Sequence, residues 1–120
     1  MPFDMDDYIG TASESVSYDQ RNKDRFLRMS RSLAKMVADG LGLEPSQYDI
    51  RVNKGGVAVS GEVTLHSDKI YVQFGQGILD SFLCRRCEGR RDFVGGQNHY
   101  YKWTDLRDFG GFLDFLRRMA

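Results

Sequence analysis

Residues 48–74 read YDIRVNKGGVAVSGEVTLHSDKIYVQF, and the period of this stretch decides the fold. Ile50 and Val52 alternate with Asp49, Arg51 and Asn53. Val57, Val59, Val63 and Leu65 share one face while Ser60, Glu62, Thr64 and His66 take the other. Ile70, Val72 and Phe74 alternate with Tyr71 and Gln73. A period of two marks a strand with one face in a core and one in water. Lys54-Gly55-Gly56 and His66-Ser67-Asp68-Lys69 interrupt the alternation where hairpins turn. The stretch therefore reads as an antiparallel meander. Gly61 falls on its apolar side, where a missing side chain marks a bulge or the close approach of a neighbouring element.

Upstream the period changes. Phe26, Met29, Leu33, Met36 or Val37, and Leu41 recur at helical spacing, which predicts a helix over about 19–39, capped by Ser17 or Asp19. Gly40 and Gly42 end it, and Glu44-Pro45 forbids its return. A second stripe on this helix, Arg21, Arg25, Arg28, Ser32 and Lys35, reads either as a secondary basic face for phosphate or as the wet side of an amphipathic helix. Residues 1–16 show no sustained period and read as a flexible acidic arm. Its Phe3, Met5, Tyr8 and Ile9 are apolar enough to dock on a partner.

Downstream, residues 78–87 predict a fourth strand, 90–94 a short fifth and 97–103 the last. In the last, His99, Tyr101 and Trp103 face one way and Asn98, Tyr100 and Lys102 the other. Thr104 or Asp105 caps a final helix with Leu106, Phe109, Phe112, Leu113 and Leu116 on its apolar face. Gly110-Gly111 at its middle predicts a kink or a tight approach to the sheet. The expected fold is α+β: an N-terminal helix, a four- to six-stranded antiparallel sheet, and a C-terminal helix packed on the sheet, as a single domain over 17–120.

The composition fits that size. The 120 residues carry 41% apolar and 28% charged side chains, which is ordinary for a globular chain with a core of its own. The net charge of zero hides an asymmetry. Asp4, Asp6, Asp7, Glu14 and Asp19 stand before the first basic residue, leaving 12 acids against 17 bases in the rest. An acidic arm over a mildly basic body shields a basic patch or sharpens its selectivity. No apolar run is long enough to span a bilayer, and the acidic start lacks the apolar core of a signal peptide. The expectation is a cytoplasmic protein with reduced thiols and no membrane partner.

The chemistry concentrates in FLCRRCEGRRDFVGGQNHYYKW, residues 82–103. Cys84 and Cys87 have the spacing of half a zinc site, which His66 and His99 would have to complete. The competing reading places Cys84 in the core and Cys87 near a turn. Arg85, Arg86, Arg90 and Arg91 put four guanidinium groups close together, beside Phe93, Asn98, His99, Tyr100, Tyr101, Lys102 and Trp103. Arginine with aromatic rings on a sheet is the combination that holds single-stranded nucleic acid, charge along the backbone and rings against bases. The same residue types dominate protein–protein hot spots. No P-loop or nucleophile elbow is present, and nothing in the spacing selects a catalytic set. The sequence therefore points to a small binding protein, not an enzyme, needing no cofactor. Its expected partner is a protein or a second copy of itself, with nucleic acid as the alternative reading and a zinc-stabilised domain as the next. In size and style alone, and by no motif, it resembles the small accessory or inhibitor proteins of mobile elements.

Overall fold

In a computed structural model the chain is described at residues 3–13, 20–54, 61–75, 80–93 and 96–120. The elements run α1 (Met5–Ser13), α2 (Gln20–Gly40), a 3-10 turn (Pro45–Gln47), β1 (Tyr48–Asn53), β2 (Glu62–Ser67), β3 (Ile70–Gly75), β4 (Ser81–Arg86), β5 (His99–Lys102), a 3-10 turn (Trp103–Arg107) and α3 (Phe109–Met119). The five strands lie side by side in sequence order, each antiparallel to the next. This is the α+β meander that the alternation of residues 48–74 predicts. The proposed Gly55-Gly56 turn, Val57, Val59 and Ser60, the Ser17 and Asp19 caps, the first residues of the predicted fourth strand and the last of the predicted fifth lie outside the described residues.

Strand parity builds the core. Val63, Leu65, Ile70, Val72, Phe74, Phe82 and Cys84 are buried on one face, and α2 and α3 pack against that face. The buried stripe of α2 is Phe26, Leu27, Ser30, Leu33, Ala34, Val37 and Ala38, so Met29 and Met36 sit at its flanks rather than its centre. Gly61 is a close approach: a β-carbon there would stand 2.8 Å from Leu27 Cδ2. At the end of α2, Gly42 adopts φ +75° while Leu43 N–H donates to Ala38 O at 2.9 Å, the left-handed closure that glycine permits without strain.

Three expectations are corrected. Residues 1–16 are not a flexible arm over their described part. Met5, Tyr8, Ile9 and Ala12 follow helical spacing, and α1 buries Tyr8, Ile9 and Ala12 against α2 and the Trp103 turn. Residues 90–93 form no strand; the chain turns there, because Asp92 N–H closes onto Gly89 O at 3.1 Å. Gly110-Gly111 does not kink the last helix. Thr104 and Asp105 belong to the preceding 3-10 turn, α3 starts at Phe109, and Asp108 caps it by accepting from Gly111 N–H at 3.0 Å. No helix among the described residues is long and apolar enough to cross a membrane.

Candidate binding surface on the uncovered sheet face

The helices occupy one side of the sheet, so the odd-numbered residues of β1, β3 and β4 and the even-numbered ones of β2 and β5 are left on the other. Register sets them in rows. Asp49, His66, Tyr71 and Arg85 are successive cross-strand neighbours, and so are Arg51, Thr64, Gln73, Leu83 and Tyr100. The Arg85 guanidinium stacks over the Tyr71 ring at 4.5 Å, and its Nε is buried with no hydrogen-bond partner among the described residues. Tyr71 Oη donates to Gln73 Oε1 (3.3 Å), whose amide donates to Glu62 Oε2 (2.6 Å). These contacts fix the rotamers of one patch in advance, which lowers the entropic cost of binding there.

An arm formed by residues 87–93 folds over one end of this face. Cys87 N–H donates to Lys69 O at 2.9 Å and its thiol to Ser67 O at 3.3 Å. Arg90 reaches Asp68 (3.2 Å), Asp49 (3.5 Å) and the Ser46 carbonyl. Beneath the arm, His66 is completely buried. Its Nε2 lies 2.9 Å from Gly89 O and its Nδ1 3.2 Å from Arg51 Nη1. The carbonyl accepts and the guanidinium donates, so the proton belongs on Nε2 and the ring is neutral. Tyr71 and Phe93 meet the imidazole edge-on, at 5.1 and 5.4 Å, and Arg51 also covers the Phe93 ring at 5.1 Å.

Burial, chiefly, pushes the His66 pKa below its ordinary value. The Gly89 carbonyl and the Asp49 and Asp92 carboxylates pull it up, and Arg51 pushes it down. The folded state thus binds this proton less readily than the unfolded chain. The stabilisation is complete above about pH 6.5, the unfolded value, and is lost as pH falls through the lower folded value. Urea midpoints measured from pH 7.5 down to 5 are expected to fall in this window, with a shallower fall in His66→Gln. Equal slopes in the two proteins would remove His66 from the account.

The residues singled out in the sequence part company here. Arg85 and Phe93 lie on the uncovered face, and so do Tyr100 and Lys102, with Tyr100 62% exposed. Arg90 is taken up by Asp49 and Asp68 and holds the arm down. Arg91 and Asn98 are exposed. Arg86 turns to the helix side, where it lines a groove with His99, Phe115 and Arg118. His99 meets Phe115 edge-on at 6.3 Å, and Tyr101 packs on Phe112 at 4.7 Å. Trp103 is 1% exposed and sits in the core among Tyr8, Phe26 and Phe82. The arginine–aromatic stretch therefore does not lie on one face: a strand sends alternate residues to opposite sides, and the turn after Lys102 carries Trp103 inward.

The basic face of α2 divides as well. Arg25 pairs with Asp7 and fastens α1, Arg21 is exposed, and Arg28 and Lys35 line a groove beside β1. The four zinc candidates are not gathered. Cys84 is in the core, where burial pushes its thiol pKa up, with His99 beside it on β5. His66 is on the opposite face, bonded to Gly89, and Cys87 points at Ser67 O. Among the described residues no cluster of three or more His, Cys, Asp or Glu is placed to hold a metal ion.

Arg51, Tyr71, Gln73 and Leu83 belong to the uncovered patch although the sequence reading did not single them out. The signal for them was present: each occupies the polar phase of its strand, and Tyr71 and Leu83 are too apolar for a face left only to water. No family model, curated protein or solved structure matches the chain.

Proposed function

We propose that the chain is a non-enzymatic binding protein, accessory or inhibitory in kind, that holds a protein partner against its uncovered sheet face. One observation carries the reading: Phe93 and Tyr100, 51% and 62% exposed, flank the stacked Arg85–Tyr71 pair on a single face. Tyrosine and arginine held in fixed rotamers beside exposed rings are what interface hot spots are made of. The arrangement favours a protein over nucleic acid. Arg90 is neutralised within the fold and Arg86 faces the other side, so the free cations of this face do not form a track for phosphates. His66, the group best suited to acid–base work, is neutral and holds the arm.

The test compares cross-linking capture from the native host by the intact protein and by a Phe93→Ala, Tyr100→Ala, Arg85→Ala variant. A protein captured by the first and weakened about tenfold or more in the second is expected, since each hot-spot truncation costs about 2 kcal/mol or more. Anisotropy of labelled single- and double-stranded oligonucleotides at two salt concentrations runs beside it. Tight, salt-sensitive binding lost in the same variant overturns the protein reading in favour of nucleic acid.

A further inference from the structure

β1 ends the sheet: among the described residues it pairs only with β2. Its inward residues are poorly covered. Ile50 is half-buried and Val52 is 37% exposed, although both hold the apolar phase of the strand. They form, with Leu27, the floor of an open groove of about 590 Å³ between α2 and β1. Its rim carries Arg28, Arg31, Lys35 and Lys54, with Asp24 as the one acid lining it among the described residues. Arg28, Arg31 and Lys35 are exposed and stand three and four residues apart, so they line one side of α2.

Three occupants have the right dimensions, and the side chains separate them. Nucleic acid would meet no ring to stack on and would set its phosphates over three aliphatic chains, an environment that opposes charge. A second copy of this chain, paired β1 to β1, would bring two basic rims together, and like charges set that close repel. An extended acidic segment of a protein partner satisfies every element. Its backbone adds a strand to the open edge of β1, as in other edge-strand recognition. Its alternate side chains point into the groove. Arg28 and Lys35 lie about 10 Å apart along the helix at about 1.5 Å per residue, and every second residue of a strand advances about 7 Å. Two or three acids at alternate positions therefore come within reach of the rim, and small aliphatic groups at the same phase cover Val52 and Ile50.

We propose that the groove between α2 and β1 binds an acidic, extended peptide segment by strand addition. The site lies on the helix-bearing side of the sheet, opposite Phe93 and Tyr100, so it is independent of the surface described above and the two fail separately.

The test is an amide-shift titration of the full chain with a synthetic glutamate–valine peptide in which glutamate and valine take turns at every second residue with serine between them, so that both face the groove. Controls are a lysine–valine peptide, the glutamate–valine peptide N-methylated at every second residue, and a single-stranded oligonucleotide of equal charge. Saturable shifts at residues 48–54 and along α2 from 24 to 35 are expected with the acidic peptide alone. Their affinity is expected to fall tenfold or more in Arg28→Glu, Arg31→Glu, a pair of exposed sites whose exchange leaves the fold intact by circular dichroism. N-methylation is expected to abolish the shifts. The proposal is overturned by absence of shifts at millimolar peptide, by shifts that survive charge reversal or N-methylation, by tighter binding of the oligonucleotide, or by shifts that depend on protein concentration without peptide, which would assign the edge to a second copy.

Discussion

Replacing Trp103 by alanine is expected to lower the stability of the domain by about 3–5 kcal/mol, the range for truncating a buried aromatic ring. The indole is 1% exposed and touches three other rings: Phe82 at 4.7 Å, Tyr8 at 5.7 Å and Phe26 at 6.2 Å. Through them it ties β4, α1 and α2 to the turn that leads into α3, so the void it leaves borders elements that cannot all collapse on it. Its Nε1 is buried without a hydrogen-bond partner among the described residues. Trp103→Phe keeps a ring and removes that unsatisfied donor, so it should lose much less than the alanine variant. Guanidinium unfolding followed by far-ultraviolet circular dichroism reads both, since the chain's only tryptophan is the residue being removed. An unchanged midpoint in Trp103→Ala would contradict the buried position and return Trp103 to the surface.

The second large effect lies in the same aromatic cluster, on the α1 side of Trp103. Tyr8 is fully buried, stacks on Phe26 at 5.7 Å and 10°, and its hydroxyl bonds Ser30 Oγ at 2.8 Å. Burial pushes the phenol pKa far up, so it stays neutral across the working range. Tyr8→Ala is expected to cost about 3–5 kcal/mol as another lost buried ring. Tyr8→Phe should cost about 1–3 kcal/mol, because it strands the buried Ser30 hydroxyl without a partner. Removing residues 1–13 outright uncovers Phe26 and Trp103 together. Against a total stability of about 5–15 kcal/mol, that loss should leave a chain that binds hydrophobic dye and unfolds without a sharp transition. A truncated protein with an undiminished, cooperative transition would restore the picture of a dispensable acidic arm.

Much of the architecture was legible because alternation is a local signal. Val63, Leu65, Ile70, Val72 and Phe74 announce their strands within a few residues, and only one turn is short enough to join β2 to β3. α1 was missed although Met5, Tyr8, Ile9 and Ala12 stand at i, i+3, i+4 and i+7. Nine residues give a weak period, and the acids between them suggested a solvated tail. The binding surface was less legible for a different reason. Four neighbouring arginines look like one patch in sequence, but Arg85 stacks on a ring, Arg86 faces the helices, Arg90 is locked between two aspartates and Arg91 is exposed. Parity separates the first pair, and a turn separates the second. His66 shows the same limit. Its strand phase says water, but an arm more than 20 residues later covers it.

The meeting of α1 with the Trp103 turn also sets an order of events. Asp6 and Arg107 join at 2.7 Å across 101 positions of chain, whereas the strands of the sheet are neighbours in sequence. Each doubling of a closed loop adds about 0.6 kcal/mol of entropic cost, so the hairpins can form early and cheaply while the aromatic centre must wait for both ends of the chain. The rings of Tyr8, Phe26 and Trp103 are thus expected to be among the last to find one another. Contacts made that late are expected to form beyond the folding barrier, which unfolding rates of Trp103→Ala and Tyr8→Ala would read. Such contacts govern how long the native protein survives before it opens, and have little influence on how fast it forms.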